Sequence, residues 1–313
     1  MNPSKTTTYL GIILGVLAVS TASIFIRMAQ GEAQALSIAA YRMIFATLLL
    51  FPVVFIRYRM DLAKINWSTW WKILLAGLFL AIHFASWITS LSFTSVASSV
   101  VLVTTTPLWV AIFGALLLKE RPSKSIIIGL AVALTGSIVV GLSHEIPTWF
   151  MQSAENATTA VKTSSSMLGN LLSLVGAWAA AGYMLIGRKV RPQLSLPVYT
   201  FLVYGVSAVL LLVAVLITGT PMAGFHGQTY LWLVLLAVIP QLIGHSAFNW
   251  ALKYIPASLV SIALLGEPVG STILAAILLH ENPVFLELVG GVLILTGIYL
   301  SSRSGNSAER VGQ

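Results

Sequence analysis

The length of its apolar runs restricts this chain more than any other feature. A helix rises about 1.5 Å per residue, so roughly 20 consecutive apolar residues reach across a hydrocarbon layer of about 30 Å. Ten such runs can be marked: Tyr9 to Met28, Leu36 to Ile56, Trp70 to Leu91, Val96 to Leu118, Ser125 to Leu142, Met167 to Ile186, Pro197 to Ile217, Tyr230 to Leu252, Ala257 to Leu279 and Val284 to Ser302. Only 8% of the 313 residues are charged, against roughly a quarter in a soluble domain, which excludes a water-soluble globule. The expected fold is an all-α polytopic membrane protein with ten transmembrane helices. The first run is longer than a signal-peptide core and has no small-x-small cleavage pattern, so it reads as a retained span.

Seventeen Lys and Arg against nine Asp and Glu give a net charge of +8. In a soluble protein that balance would raise nucleic acid as a partner. Here the basic residues stand at the ends of apolar runs with no basic patch of interleaved aromatics, so we expect no nucleic acid and read a topology signal instead. With the N-terminus inside, the inner segments hold Lys5, Arg57, Arg59, Lys64, Lys72, Lys119, Arg121, Lys124, Arg188, Lys189, Arg191, Lys253, Arg303 and Arg310, fourteen of the seventeen. The outer loops hold only Lys162, and Arg27 and Arg42 fall within the first two spans. Both termini are therefore expected in the cytoplasm, and the chain in a plasma or inner cell membrane. Trp67, Trp70 and Trp71 fit an inner interfacial belt and Trp149 an outer one. The Ser/Thr-rich stretch 144–166 reads as a polar extracytoplasmic connector between a first unit (1–143) and a second (167–303), with a cytoplasmic tail at 304–313. Its Asn156-Ala157-Thr158 spells a glycosylation sequon, a weak signal alone.

The two units are copies. Shifting the chain by 161 residues lays Trp71 to Val139 on Trp232 to Leu300 without a gap, matching Pro107 with Pro268, Glu120 with Glu281, Pro122 with Pro283, Gly129 with Gly290, and Leu134-Thr135-Gly136 with Leu295-Thr296-Gly297. At an offset of 158 the earlier spans correspond, Tyr41 with Tyr199 among them. Five spans per copy force the second copy into the membrane upside down. The charges agree: Lys119-Glu120-Arg121 falls inside, while its counterpart His280-Glu281-Asn282 falls outside and lacks both basic residues. Two inverted five-helix repeats around a central cavity are a recurring architecture of secondary transporters, because pseudo-equivalent halves can exchange inward-open and outward-open states.

On these motif-bearing stretches, Pro107 to Gly141 and Glu267 to Tyr299, the chain resembles the EamA-type family of the drug/metabolite transporter superfamily. The resemblance covers essentially the whole chain and rests on duplication at matching spacing. It implies a basket-like ten-helix bundle with a midplane cavity that moves amino acids, metabolites or amphiphilic compounds, often outward. The second copy departs from the pattern, with His280-Glu281-Asn282 where such families often show Gly-Glu-Arg.

Ionisable residues at membrane depth are costly unless paired or hydrated, so each is a candidate. Glu267 lies about ten residues, roughly 15 Å, into the ninth span. Pro268 follows it, and a proline removes a backbone hydrogen bond and clashes with the preceding turn, so the helix should kink or open there. The repeat places Thr106 and Pro107 at the same point of the fourth span, and matched interruptions in both halves point to a transport site. Glu267 could carry a transported proton or neutralise a substrate amine; the plain alternative is a buried carboxyl bonded to a neighbouring helix. Arg42, and less readily Arg27, could hold a substrate carboxylate or pair with Glu32 or Glu267. His83 and Trp87 share a face of the third span, and Gln241, His245 and Asn249 form a stripe on the eighth. Such a stripe turns from lipid, to line a cavity or to bond a neighbouring helix. Trp109 and Trp178 read as packing before cavity wall.

A secondary transporter of small metabolites in the lipid bilayer, exporting or exchanging, is the reading these features favour, with proton coupling possible and the oligomeric state open. A membrane-embedded enzyme is the first alternative, but no His-Glu-x-x-His, Gly-x-Ser-x-Gly or phosphate loop occurs. A non-transporting receptor is the second. No cofactor or metal is expected, and with no cysteine in the chain thiolate sites and disulfides are excluded.

Overall fold

A computed structural model describes residues 3–93, 99, 102–118, 122–142, 159–278 and 285–303. Lys119, Glu120, Arg121, His144, Glu145, Trp149, Asn156, His280, Glu281, Asn282 and Pro283 lie outside this set. The described residues are helical, with no strand among them: α1 Lys5–Val19, α2 Ala22–Ala29, α3 Ala35–Arg57, α4 Arg59–Ala63, α5 Trp67–Ser90, α6 Thr106–Leu117, α7 Lys124–Leu142, α8 Thr159–Val190, α9 Leu196–Thr218, α10 Gly227–Leu236, a π-helix Ala237–His245, α11 Ser246–Ala251, α12 Ala257–Ala263, α13 Gly266–Leu278 and α14 Phe285–Arg303. Six helical stretches are long and apolar enough to cross a membrane: Thr6–Ala29, Ala35–Arg57, Trp67–Ser90, Met167–Val190, Leu196–Thr218 and Gly227–Ala251. Shorter apolar helices stand at the other four expected positions. α8 starts at Thr159, within the stretch read as the polar connector.

The packing follows the internal repeat. α5 packs along α8, and the equivalent elements pack alike, α10, the π-helix and α11 against α2 and α1. α3 pairs with α9, and α7 with α14. The last pair is held by small residues. A Cβ on Gly129 would lie 2.5 Å from the carbonyl oxygen of Gly297, and one on Gly136 would lie 2.6 Å from that of Gly290. Because Gly129 corresponds to Gly290 and Gly136 to Gly297, these are one contact made twice, as a two-fold axis requires. The bundle is apolar outside, with Leu48, Ile56, Leu116, Leu216 and Ile217 exposed, and carries Arg42, Gln241, Asn249 and Tyr204 buried within. That inversion of the soluble pattern suits a lipid solvent.

Charged residues fasten both ends of the α10–α11 rod. At its start the Glu32 carboxylate accepts hydrogen bonds from the Thr229 hydroxyl (2.7 Å), the His226 backbone N–H (2.9 Å) and the His226 ring. A carboxylate suits a helix N-terminus, and the Thr229 hydrogen bond, followed by those from His226, lowers the Glu32 pKa from 4.5 to about 2. At the other end Arg191, fully buried, donates to the carbonyls of Asn249 (2.8 Å) and Leu194, and Arg188 to that of Leu252 (2.8 Å). The topology reading counts Arg191 among the inner-segment charges; it is buried, capping the Asn249 carbonyl in the last turn of α11, where a cation is favoured, and bracing the Leu194 carbonyl of the turn that follows α8.

Candidate functional site

The proline-bearing spans are broken where the sequence places their prolines. Pro107 lies in the first turn of α6, after a turn at Thr104–Thr105. Pro268 lies in the first turn of α13, after a turn at Leu264–Leu265. Each proline denies an N–H to the carbonyl four residues back, and each time the preceding residue supplies the missing donor. The Thr106 hydroxyl donates to Val103 (2.8 Å), and the Glu267 backbone N–H donates to Leu264 (2.9 Å).

Between the two breaks lies a cavity of about 90 Å³, room for several waters. Glu267, Thr106, Pro107, Arg42, His83, Trp87, His245 and Asn249 all line it, together with Tyr183 and Ser261. Gln241 and Pro268 do not. Gln241 stands behind the wall, its Oε1 accepting from Arg42 Nε at 2.8 Å, and Pro268 is buried in the helix break. Arg27 is exposed and away from the cavity. Trp109 and Trp178 meet edge to face at 5.3 Å outside the cavity lining, so packing is their role.

Arg42 is 1% exposed and fixed on two sides. Gln241 holds Nε, and the Phe84 ring lies 4.2 Å below the guanidinium, a cation–π contact. Neither Glu32 nor Glu267 holds its Nε, and Nη1 has no partner in the protein. His83 Nδ1 faces the carbonyl of Gly176 at 2.9 Å. A carbonyl only accepts, so Nδ1 carries the proton. The ring stacks on Trp87 at 5.9 Å, and the Trp87 Nε1 donor is buried without a partner. His245 meets the Phe84 ring edge-on at 5.4 Å.

Sequence reasoning missed the tyrosines. Asn249 Nδ2 donates to the hydroxyl of Tyr183, and the Tyr204 hydroxyl reaches Ser246 Oγ (3.3 Å) and the Gln241 carbonyl (3.4 Å). Asn249 Oδ1 is left without a partner. No spacing along one helix pairs Tyr183 with Asn249, since they belong to α8 and α11.

The polar stripe is also re-aimed. Ala237–His245 is π-helical around Pro240, whereas its repeat counterpart, residues 76–84, is plain α-helix within α5 with Phe79 at the proline's position. The wider i to i+5 turn leaves Gln241 on Arg42 while His245 and Asn249 reach the cavity.

The chain matches the sequence profile of the EamA-like transporter family twice, over residues 6–142 and 167–303. It is 22% identical over 298 residues to a protein of Archaeoglobus fulgidus named an uncharacterized transporter, covering 94% of this chain and 97% of that one. It is 23% identical over 309 residues to the uncharacterized transporter YcxC of Bacillus subtilis, covering 94% and 92%. A crystal structure titled only as that of a protein superposes with a TM-score of 0.75 over 98% of this chain and 100% of its own, at 17% identity, which shows a shared fold.

Proposed function

The chain belongs to the EamA-like transporter family, and from that premise we propose a secondary transporter that exports or exchanges small metabolites, amino acids or related amphiphilic compounds, by alternating access. In this reading all ten apolar runs cross the membrane, the broken ones as pairs such as Ala257–Ala263 with Gly266–Leu278, and both termini lie in the cytoplasm. The observation that carries the reading is the cavity between two helix breaks at repeat-equivalent positions, its mostly apolar wall set with a few charged and polar side chains, Arg42, Glu267, His83, His245, Asn249 and Thr106 among them. Irregular backbone at membrane depth is tolerated where it lines a cavity, and paired breaks of this kind mark transporter sites. Rocking one repeat against the other would open the cavity to each side in turn.

The cavity residues then take distinct roles. Arg42 and Glu267 are its opposite charges, and Glu267 is the group placed to take up a proton. His83, Trp87, His245 and Asn249 form the wall, Gln241 orients Arg42, and Thr106, Pro107 and Pro268 keep the breaks open. Purified protein in liposomes should exchange a bound metabolite across the membrane, and Glu267→Gln should remove the pH dependence of that flux. Wild-type flux and pH profile in the Gln variant would refute the role given to Glu267.

A further inference from the structure

Two side chains that line the central cavity each carry a buried, unused donor, Arg42 Nη1 and Trp87 Nε1, the side chains being 1% and 8% exposed. Burying a donor without a partner is unfavourable, most of all a charged one, so the cavity is built for an acceptor that the chain itself does not supply. Resting on the transporter reading above, we propose that Arg42 and Trp87 form a carboxylate subsite beside the first turn of α6, and that the cargo is a compact molecule bearing one carboxylate.

The local geometry places the subsite. Gly176 and Ala177 of α8 link its parts. The Gly176 carbonyl bonds His83, a Cβ on Gly176 would lie 3.3 Å from Trp87 Cβ, and the Ala177 carbonyl accepts from Thr106 Oγ1 at 3.4 Å. Trp87 and the start of α6 therefore flank the same turn. Arg42, held by Gln241 and Phe84, presents a planar fork whose direction is set before any ligand arrives. A planar fork suits a carboxylate, which it can bind through two parallel hydrogen bonds.

The internal repeat says why an anion is missing there. Thr106 and Glu267 are the same position of the two copies, each in the first turn of a broken helix, where negative charge is favoured. The second copy carries its own carboxylate at that point. The first copy carries a hydroxyl already bonded to Val103, and Trp87, with its unused donor, flanks that side. The cargo's carboxylate supplies by binding what Glu267 supplies by sequence. Charge balance adds a condition. Arg42 and Glu267 neutralise each other, so a bound carboxylate must arrive with one positive charge, either an ammonium of its own or a proton taken by Glu267.

The test is binding by calorimetry on the full chain in detergent, with isovalerate, isovaleramide, isoamylamine and leucine as probes. Isovalerate or leucine should bind at least about tenfold tighter than isovaleramide. Arg42→Gln should abolish that preference, and Trp87→Phe, which keeps an aromatic wall and removes only the N–H, should cut it severalfold with thermal unfolding unchanged. A proton taken up with isovalerate but not with leucine identifies Glu267 as the balancing group. Amide or amine binding as tight as the carboxylates, or a carboxylate preference that survives both substitutions, overturns the subsite. Liposome exchange keeps the two readings apart. Carboxylate binding without flux upholds the subsite and sinks transport, while flux of isoamylamine alone does the reverse.

Discussion

Replacing Gly297 by alanine should separate the two helices that close the repeat. Its new Cβ would fall 2.6 Å from the backbone nitrogen of Ala133 and 2.7 Å from the Ala133 Cβ, and would strike the Gly129 carbonyl oxygen. These are mostly backbone atoms of α7, so no rotamer change relieves the clash, and α7 and α14 must move apart by several tenths of an ångström. Overpacking of that kind costs about 1–3 kcal/mol, against a gain of about 0.5–1 kcal/mol for removing glycine from a helix. A net loss of about 1 kcal/mol at the centre of these ranges, and up to about 2.5 kcal/mol, follows, a fall of a few degrees in Tm. Gly291 on the same helix is the control, because its Cβ would meet nothing nearer than Val269 at 3.8 Å, so Gly291→Ala should be neutral or slightly stabilising. Gly136→Ala, the repeat counterpart of Gly297→Ala, would meet Gly290 O at 2.6 Å and Ile294 N at 2.8 Å and should lose a similar amount. Thermal unfolding of the three variants in one detergent decides the matter. Equal Tm values for Gly297→Ala and Gly291→Ala, or a neutral Gly136→Ala, would refute the two-fold contact.

Other outcomes follow from the same structure. The Glu32 pKa is depressed to about 2 in the folded chain, so its contribution is complete above about pH 4.5 and is lost as pH falls toward 2; Tm measured from pH 7 to pH 3 should drop more for the wild type than for Glu32→Gln. Arg191→Leu strips the buried Asn249 carbonyl and the part-buried Leu194 carbonyl of their donor and should cost about 1–3 kcal/mol, read as a lower Tm; an unchanged Tm would mean these contacts are idle. Pro240→Ala restores an N–H inside the π-helix and should let residues 237–245 relax toward α-helix, loosening Gln241 from Arg42; a carboxylate affinity unchanged by the substitution would show that the π-turn does not set Arg42.

What could be read from the sequence was what one helix or one repeat encodes. The breaks at Pro107 and Pro268 were visible because a proline acts on its own helix, and the copies were visible because Gly129, Gly136, Gly290 and Gly297 keep their spacing. The polar stripe of Gln241, His245 and Asn249 was visible too, but its aim was not, since a regular 3.6-residue turn was assumed where the chain is π-helical. Tyr183, Tyr204 and the cap formed by Arg191 depend on helices meeting from distant parts of the chain, and no periodicity reports such a meeting. The break at Ser20–Thr21 between α1 and α2 also carries no proline to announce it.

The π-helix bears on direction. Were the two copies identical in shape, swapping their conformations in the proposed cycle would turn each open state into the other by a two-fold rotation, with equal free energy, and an empty carrier would rest half of the time facing either way. Ala237–His245 and its counterpart in α5 do not share a shape, so no symmetry holds the two proposed facings equal in energy. In the proposed cycle this nine-residue stretch is one asymmetry, beside Thr106 against Glu267, that biases which way the empty carrier rests.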